Sequence, residues 1–84
     1  MTTFHRLADM VSRVAEVPLD SITPTSSLDE LEVDSLALVE LILRVEKTFG
    51  ISVRDGDVQS NDTIDGIARY IEERLPTDAI PDAV

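Results

Sequence analysis

The stretch LEVDSLALVELILRVE, residues 31–46, holds the pattern that decides the fold. Its apolar residues recur at the three- and four-residue spacing of an α-helix, and Gly50 is a favourable residue just past a helix end. We therefore predict a helix from about Asp34 to Phe49. One apolar face of this helix comprises Leu38, Leu41, Ile42, Val45 and Phe49.

The same helix carries a second line of apolar residues, rotated away from the first. Leu36, Val39 and Leu43 follow one another at i, i+3 and i+7. A helix in a bundle needs only one apolar stripe of modest width. Two interpretations stay open: a central helix packed on several sides, or an exposed strip that docks a partner protein.

The chain before this helix predicts one more helix and a long loop. Residues 4–15 have amphipathic spacing, Thr2 or Thr3 can cap them, and Pro18 marks their end. Residues 17–33 lack periodicity and read as a loop long enough to need apolar anchors. The expected anchors are Leu19, Ile22, Leu28 and Leu31.

The chain after this helix predicts a short helix and a longer one. The short helix is predicted at about residues 55–60, where Gly56 lowers helix propensity by about 1 kcal/mol relative to alanine. Residues 63–75 have clear helical spacing, and residues 77–84 read as a flexible tail. The fold class is therefore all-α: a small bundle of three main helices plus one short helix, with a long first loop.

The charge distribution is strongly one-sided. The 84 residues carry a formal net charge of −10, and no basic side chain lies between Arg13 and Arg44. The acidic residues in that gap are Glu16, Asp20, Asp29, Glu30, Glu32, Asp34 and Glu40. This pattern argues against nucleic acid as a partner, because phosphate binding needs clustered lysine and arginine. It favours either a solvated acidic surface or the attraction of positively charged proteins.

Several other classes are disfavoured by what the sequence contains. It has no cysteine and one histidine, His5, so we expect no metal site. Residues 61–72 partly match a calcium loop, but the apolar spacing of Ile64, Ile67 and Ile71 favours a helix there. No segment approaches the roughly 20 apolar residues of a membrane span, and we expect a cytoplasmic monomer.

Ser35 lies at the predicted start of the central helix, where Asp34 or Ser35 could be the cap. A catalytic serine needs a base in hydrogen-bond reach, and His5 is thirty residues upstream, so we predict no catalytic residues. Two roles stay open for Ser35: a cap in a plain helical adaptor, or the acceptor of a group that another enzyme attaches. A phosphate ester suits a helix N-terminus, whose free N–H groups and dipole favour an anion.

The segment LDELEVDSLALVELILRVEKTFGISV, residues 28–53, resembles the central part of acyl carrier proteins. In that family an Asp-Ser-Leu motif opens the second helix, and Asp34-Ser35-Leu36 matches it. Val39-Glu40-Leu41 and Phe49 match as well, and the likeness extends over nearly the whole chain. The resemblance implies one carrier-like helical domain, residues 1–76.

The resemblance also implies a cofactor, a site and partners. The family's serine carries 4′-phosphopantetheine, transferred from coenzyme A, so Ser35 becomes the attachment site with Asp34 and Leu36 beside it. The implied partners are a phosphopantetheinyl transferase, an acyl-loading ligase or acyltransferase, and a ketosynthase or condensation enzyme. The side implied to face them holds Leu36, Val39, Glu40, Leu43 and Glu46.

Some positions depart from the family pattern. Glu32 stands where glycine is usual, and Ala37 where an acid is common in fatty acid carriers. Arg44, Lys47 and Thr48 interrupt an end of the helix that is often acidic, and Asn61 replaces an apolar residue at the mouth of the acyl pocket. The departures favour a dedicated carrier of polyketide or lipopeptide synthesis over general fatty acid synthesis. A peptidyl carrier is the alternative, although paired glycines before the serine are missing.

Overall fold

Three α-helices and one 3-10 turn make up the computed structural model, which describes residues 2–75. The helices are α1 (Thr3–Ala15), α2 (Ser35–Phe49) and α3 (Ile64–Arg74), and the 3-10 turn is Leu19–Ser21. Within this part of the chain, β structure is limited to one isolated bridge between Ser27 and Thr63. The predicted all-α class is confirmed, whereas the predicted tail, residues 77–84, lies outside the described residues.

Each helix begins at a side-chain cap. Thr2, Asp34 and Thr63 have extended backbones, and their side-chain oxygens accept hydrogen bonds from backbone N–H groups in the first turn. These caps satisfy donors that a helix N-terminus otherwise leaves free. At the other end, α1 and α2 stop at the left-handed residues Glu16 and Gly50. The boundaries predicted from the sequence are therefore close to those observed.

The core is built from one face of each helix. α1 packs against both α2 and α3. The buried residues of the helices are Leu7, Ala8, Met10 and Val11 from α1, Leu41, Val45 and Phe49 from α2, and Ile64, Ile67, Ala68 and Ile71 from α3. Their spacing at three and four residues explains why the apolar periodicity predicted these helices.

The long first loop is held by backbone hydrogen bonds to the second long connection. The N–H of Leu28 donates to the carbonyl of Asp62 at 3.2 Å, and that of Asp29 donates to Ser60 at 2.8 Å. Of the predicted anchors, Ile22, Leu28 and Leu31 are buried. The prediction for Leu19 is wrong, because Leu19 begins the 3-10 turn and keeps 48% of its surface exposed.

The short helix predicted at residues 55–60 is a turn. Gly56 adopts a left-handed φ of +86°, which an α-helix does not continue through. The turn is anchored to α3, since the Tyr70 hydroxyl donates to Asp57 at 2.8 Å and Arg74 pairs with Asp57 at 3.5 Å. Burial, followed by the hydrogen bond to Asp57, raises the pKa of Tyr70. The additional short element of the fold is thus the 3-10 turn in the first loop.

The structure also bears on the partial calcium-loop match and on the search for a membrane span. Residues 64–74 form α3, so residues 61–72 do not adopt the loop that calcium binding requires. Among residues 2–75, no helix combines the length and the apolar character needed to cross a bilayer.

Glu32 has a left-handed backbone with φ at +60°, in the turn that leads into α2. A side chain with a Cβ costs about 1–2 kcal/mol in this conformation, and glycine avoids the cost. The glycine that the resemblance implies at this position would adopt this conformation without strain. We expect Glu32→Gly to raise the free energy of unfolding by about 0.5–1 kcal/mol, since glycine's greater unfolded-state entropy offsets part of the gain.

Urea denaturation measures this effect, with Glu32→Gln as the matched control. Glutamine removes the charge but keeps the Cβ, so it should leave the free energy of unfolding nearly unchanged. An equal gain in both variants would assign the effect to charge repulsion and contradict the backbone explanation.

Candidate functional site

Ser35 is the first residue of α2, and its side chain is exposed. The cap of this helix is Asp34, whose Oδ1 accepts a hydrogen bond from the Ala37 N–H at 2.8 Å. Within residues 2–75 the Ser35 hydroxyl has no hydrogen-bond partner in the protein. Asp34 therefore caps α2, and capping does not explain why a serine is present at position 35.

The backbone around Ser35 suits a phosphate ester. The N–H of Ala37 is taken by Asp34, and that of Leu38 bonds the Asp34 carbonyl at 2.8 Å. The N–H groups of Ser35 and Leu36 belong to the set that a helix N-terminus leaves without an intrahelical acceptor. Two free donors and the positive end of the helix dipole therefore lie beside the serine hydroxyl.

The second apolar line on α2 is exposed. Leu36, Val39 and Leu43 keep 81%, 56% and 59% of their surfaces accessible, and we call these three residues the apolar strip. Of the two interpretations left open by the sequence, the structure supports the exposed strip. It begins at the residue directly after Ser35 and runs along α2 for two turns.

The acidic residues assigned to the partner-facing side differ in their contacts. Glu40 is exposed and accepts hydrogen bonds from Arg44 at 2.9 and 3.1 Å. Glu46 is half-buried, and its Oε2 accepts a hydrogen bond from the Val53 N–H at 2.8 Å. Gly50 turns the chain back after α2, which brings Val53 to Glu46. This contact of Glu46 was not predicted from the sequence, where Gly50 is the only indication that the chain reverses after α2.

The acidic residues next to the site lie in the turn before α2. Asp29, Glu30, Glu32 and Asp34 are all exposed. Glu30 also closes a reciprocal pair with Ser27, because each residue's backbone N–H donates to the other's side chain at 3.0–3.1 Å. The pair orders this turn, so the negative charge near Ser35 has a defined position.

Comparison with known proteins agrees with this geometry. The family description "Phosphopantetheine attachment site" matches residues 5–71. Acyl carrier protein of Acidothermus cellulolyticus is 35% identical over 66 residues, covering 77% of this chain and 79% of that protein. Acyl carrier protein of Thermotoga maritima is 34% identical over 73 residues, covering 86% and 90%. Acyl carrier protein AcpXL of Brucella melitensis is 36% identical over 53 residues, covering 62% and 57%.

The chain therefore belongs to the acyl carrier protein family. Membership implies a covalently attached 4′-phosphopantetheine group, whose terminal thiol forms thioesters when the group is bound. An exposed hydroxyl beside two free backbone donors is compatible with such a phosphate ester. Carrier proteins of this family work with a phosphopantetheinyl transferase and acyl-handling enzymes, and as a class they are non-catalytic.

Proposed function

We propose that this protein carries acyl intermediates as thioesters on a 4′-phosphopantetheine arm attached to Ser35. The observation that carries the proposal is the free, exposed Ser35 hydroxyl at the first position of α2, with Asp34 as the cap. A serine serving only as a cap would make the hydrogen bond that Asp34 makes. The protein itself performs no chemistry on the cargo and acts as a substrate-bearing partner of cytoplasmic enzymes.

The apolar strip and the acidic turn before α2 give the proposal its docking surface. Leu36, Val39 and Leu43 offer apolar area next to the attachment point, and the carboxylates of residues 29–34 attract basic partner surfaces. The proposed partner enzymes are a phosphopantetheinyl transferase, an acyl-loading ligase or acyltransferase, and a ketosynthase or condensation enzyme.

The pathway we favour is specialised synthesis of a polyketide or lipopeptide, with general fatty acid synthesis second. Support comes from the departures at Glu32, Ala37, Lys47 and Asn61. Glu32, Lys47 and Asn61 are exposed and do not serve the core, whereas the half-buried Ala37 packs against its edge. An acyl cargo is favoured over an aminoacyl cargo because residues 32–34, Glu-Val-Asp, contain no glycine.

Conversion to the phosphopantetheinylated form tests the proposal. The purified protein is incubated with coenzyme A and a phosphopantetheinyl transferase of broad specificity, and its intact mass is recorded. We expect a mass increase of one phosphopantetheinyl group per chain. An unchanged mass, under conditions that convert another carrier protein, would favour a helical adaptor in which Ser35 has no chemical role.

The acidic turn also predicts salt-dependent association. Exposed charges separated by more than about 10 Å are screened at 0.1 M salt, so electrostatic steering weakens as salt rises. We expect the association rate constant with the transferase to fall about tenfold or more between low and high salt. Stopped-flow measurement over a salt series checks this, and a rate constant independent of salt would contradict the role given to residues 29–34.

A further inference from the structure

Lys47 lies on the same exposed line of α2 as the apolar strip. Leu36, Leu43 and Lys47 are spaced at i, i+7 and i+11, which places them on one face of the helix. The side chain of Lys47 is exposed. It is twelve positions after Ser35, so at 1.5 Å per residue the two lie about 18 Å apart along the helix axis.

Lys47 is a cation without a nearby carboxylate partner. In the part of the chain that the structure describes, its ammonium has no acidic group within ion-pair distance. Arg44, one turn earlier, is neutralised by Glu40 at 2.9 Å. The adjacent Glu46 directs its Oε2 to the Val53 N–H and is half-buried. The exposed face of α2 therefore follows the acidic turn at its Ser35 end and, within residues 2–75, carries one unpaired cation, Lys47, at its far end.

The surface around Lys47 is a shallow, open depression. An open depression of about 480 Å³ is lined by Glu40, Leu43, Arg44, Lys47 and Thr48. It lies at the far end of the apolar strip. A carboxylate at this surface meets the ammonium of Lys47 and the apolar side chain of Leu43, while Arg44 is already paired with Glu40, which also lines the depression.

We propose that the acyl-handling enzyme that docks on this face recognises a charge pattern of two signs. It presents basic side chains to the carboxylates of residues 29–34 and an aspartate or glutamate to Lys47, which lies about 18 Å from Ser35 along the axis of α2. This inference rests on the proposed function, because it assumes that cargo on Ser35 is delivered through the α2 face.

Two contacts of opposite sign fix the direction in which α2 lies on the enzyme. A uniformly acidic face can pair with a basic patch in more than one register, whereas a reversed or shifted register here brings Lys47 against a cation. The same repulsion rejects enzymes whose docking patch is basic throughout. Lys47 therefore acts as a specificity-determining residue for partner choice.

The test measures transfer between the holo-protein and a partner enzyme. The probe is the purified acyl-loading ligase or condensing enzyme of the source organism that uses the holo-protein with the highest kcat/KM. We compare the native sequence with Lys47→Glu and with Arg54→Glu. Arg54 is the matched control because it is exposed, lies outside α2 and undergoes the same change of charge.

We expect Lys47→Glu to raise KM about tenfold with kcat nearly unchanged, and Arg54→Glu to change KM less than twofold. Replacing the enzyme's carboxylate that faces Lys47 with lysine should restore the KM for Lys47→Glu. The same replacement should raise the KM for the native chain. An unchanged or lower KM for Lys47→Glu, or an equal rise for Arg54→Glu, would overturn the inference.

A structural role of Lys47 gives a different result. As a cation in the last turn of α2 it also interacts favourably with the helix dipole. Loss of that interaction would lower the free energy of unfolding and leave the KM for the partner enzyme unchanged. Urea denaturation of Lys47→Glu measures this free energy. Failure of the proposed function is recognised separately, since the protein would then not become holo at all.

Discussion

The Ser35→Ala variant should remain unmodified under conditions that convert the native chain completely. Transfer of a phosphopantetheinyl group requires the serine hydroxyl, and alanine offers no atom that can form the phosphate ester. No other side chain has the position of Ser35, exposed at the first residue of α2 and directly before the apolar strip. Intact mass spectrometry after incubation with coenzyme A and a transferase measures the loss.

The stability of the same variant separates the site from a cap. Because Asp34 makes the capping hydrogen bond, Ser35→Ala should change the free energy of unfolding by less than about 0.5 kcal/mol. Asp34→Ala is the matched control, and it should lower that free energy by about 0.5–2 kcal/mol. A larger loss for Ser35→Ala than for Asp34→Ala would make Ser35 the cap, and modification of Ser35→Ala would place the attachment elsewhere.

A second large effect is expected at Leu28, the central anchor of the long first loop. Its side chain is fully buried, and its carbonyl accepts hydrogen bonds from the N–H groups of Leu31 and Val33 at 3.1 and 3.0 Å. Truncation of a buried leucine to alanine costs about 2–5 kcal/mol. The free energy of unfolding of a small domain is about 5–15 kcal/mol in total, so Leu28→Ala should leave the folded state only marginally stable.

Leu19 in the same loop provides the control. It is also a leucine that the sequence predicts as an anchor, but 48% of its surface is exposed. We expect Leu19→Ala to lower the free energy of unfolding by less than about 1 kcal/mol. Urea denaturation followed by circular dichroism compares the two variants. Equal losses would contradict the packing described for the loop.

The helices were predictable because their signals are local. The apolar spacing of residues 38–49, the cap at Asp34 and the left-handed Gly50 all lie within the element that they define. The exposed strip was visible only as an excess of apolar residues. Whether the strip is exposed depends on which face of α2 is covered by α1. The apolar spacing within α2 alone does not indicate this.

The features that the sequence missed depend on contacts between distant residues. Leu19 looks the same as Leu28 in the sequence, but only Leu28 is tied to Asp62 across the fold. The turn at residues 55–60 is held by Tyr70 and Arg74 from α3, and these contacts replace the predicted short helix. The hydrogen bond from the Val53 N–H to Glu46 could not be predicted because it forms only where the chain reverses after α2, and the role of Glu46 as a partner contact stays a prediction.

The proposed attachment site was predicted from the sequence as a position, without its local geometry. The residues around Ser35 pointed to two possible caps, and the resemblance to carrier proteins favoured attachment as the role of the serine. The structure assigns the cap and leaves the attachment role of Ser35 a proposal. Asp34 caps α2, and Ser35 is left free.

The most direct test of the central claim is to locate the modification within the chain. Because no lysine or arginine lies between Arg13 and Arg44, trypsin releases residues 14–44 as one peptide from the protein treated with coenzyme A and transferase. Fragmentation of that peptide distinguishes Ser35 from the hydroxyls at residues 21–27. We predict one phosphopantetheinyl group on Ser35. A group on any other residue, or a peptide that stays unmodified, would contradict the account.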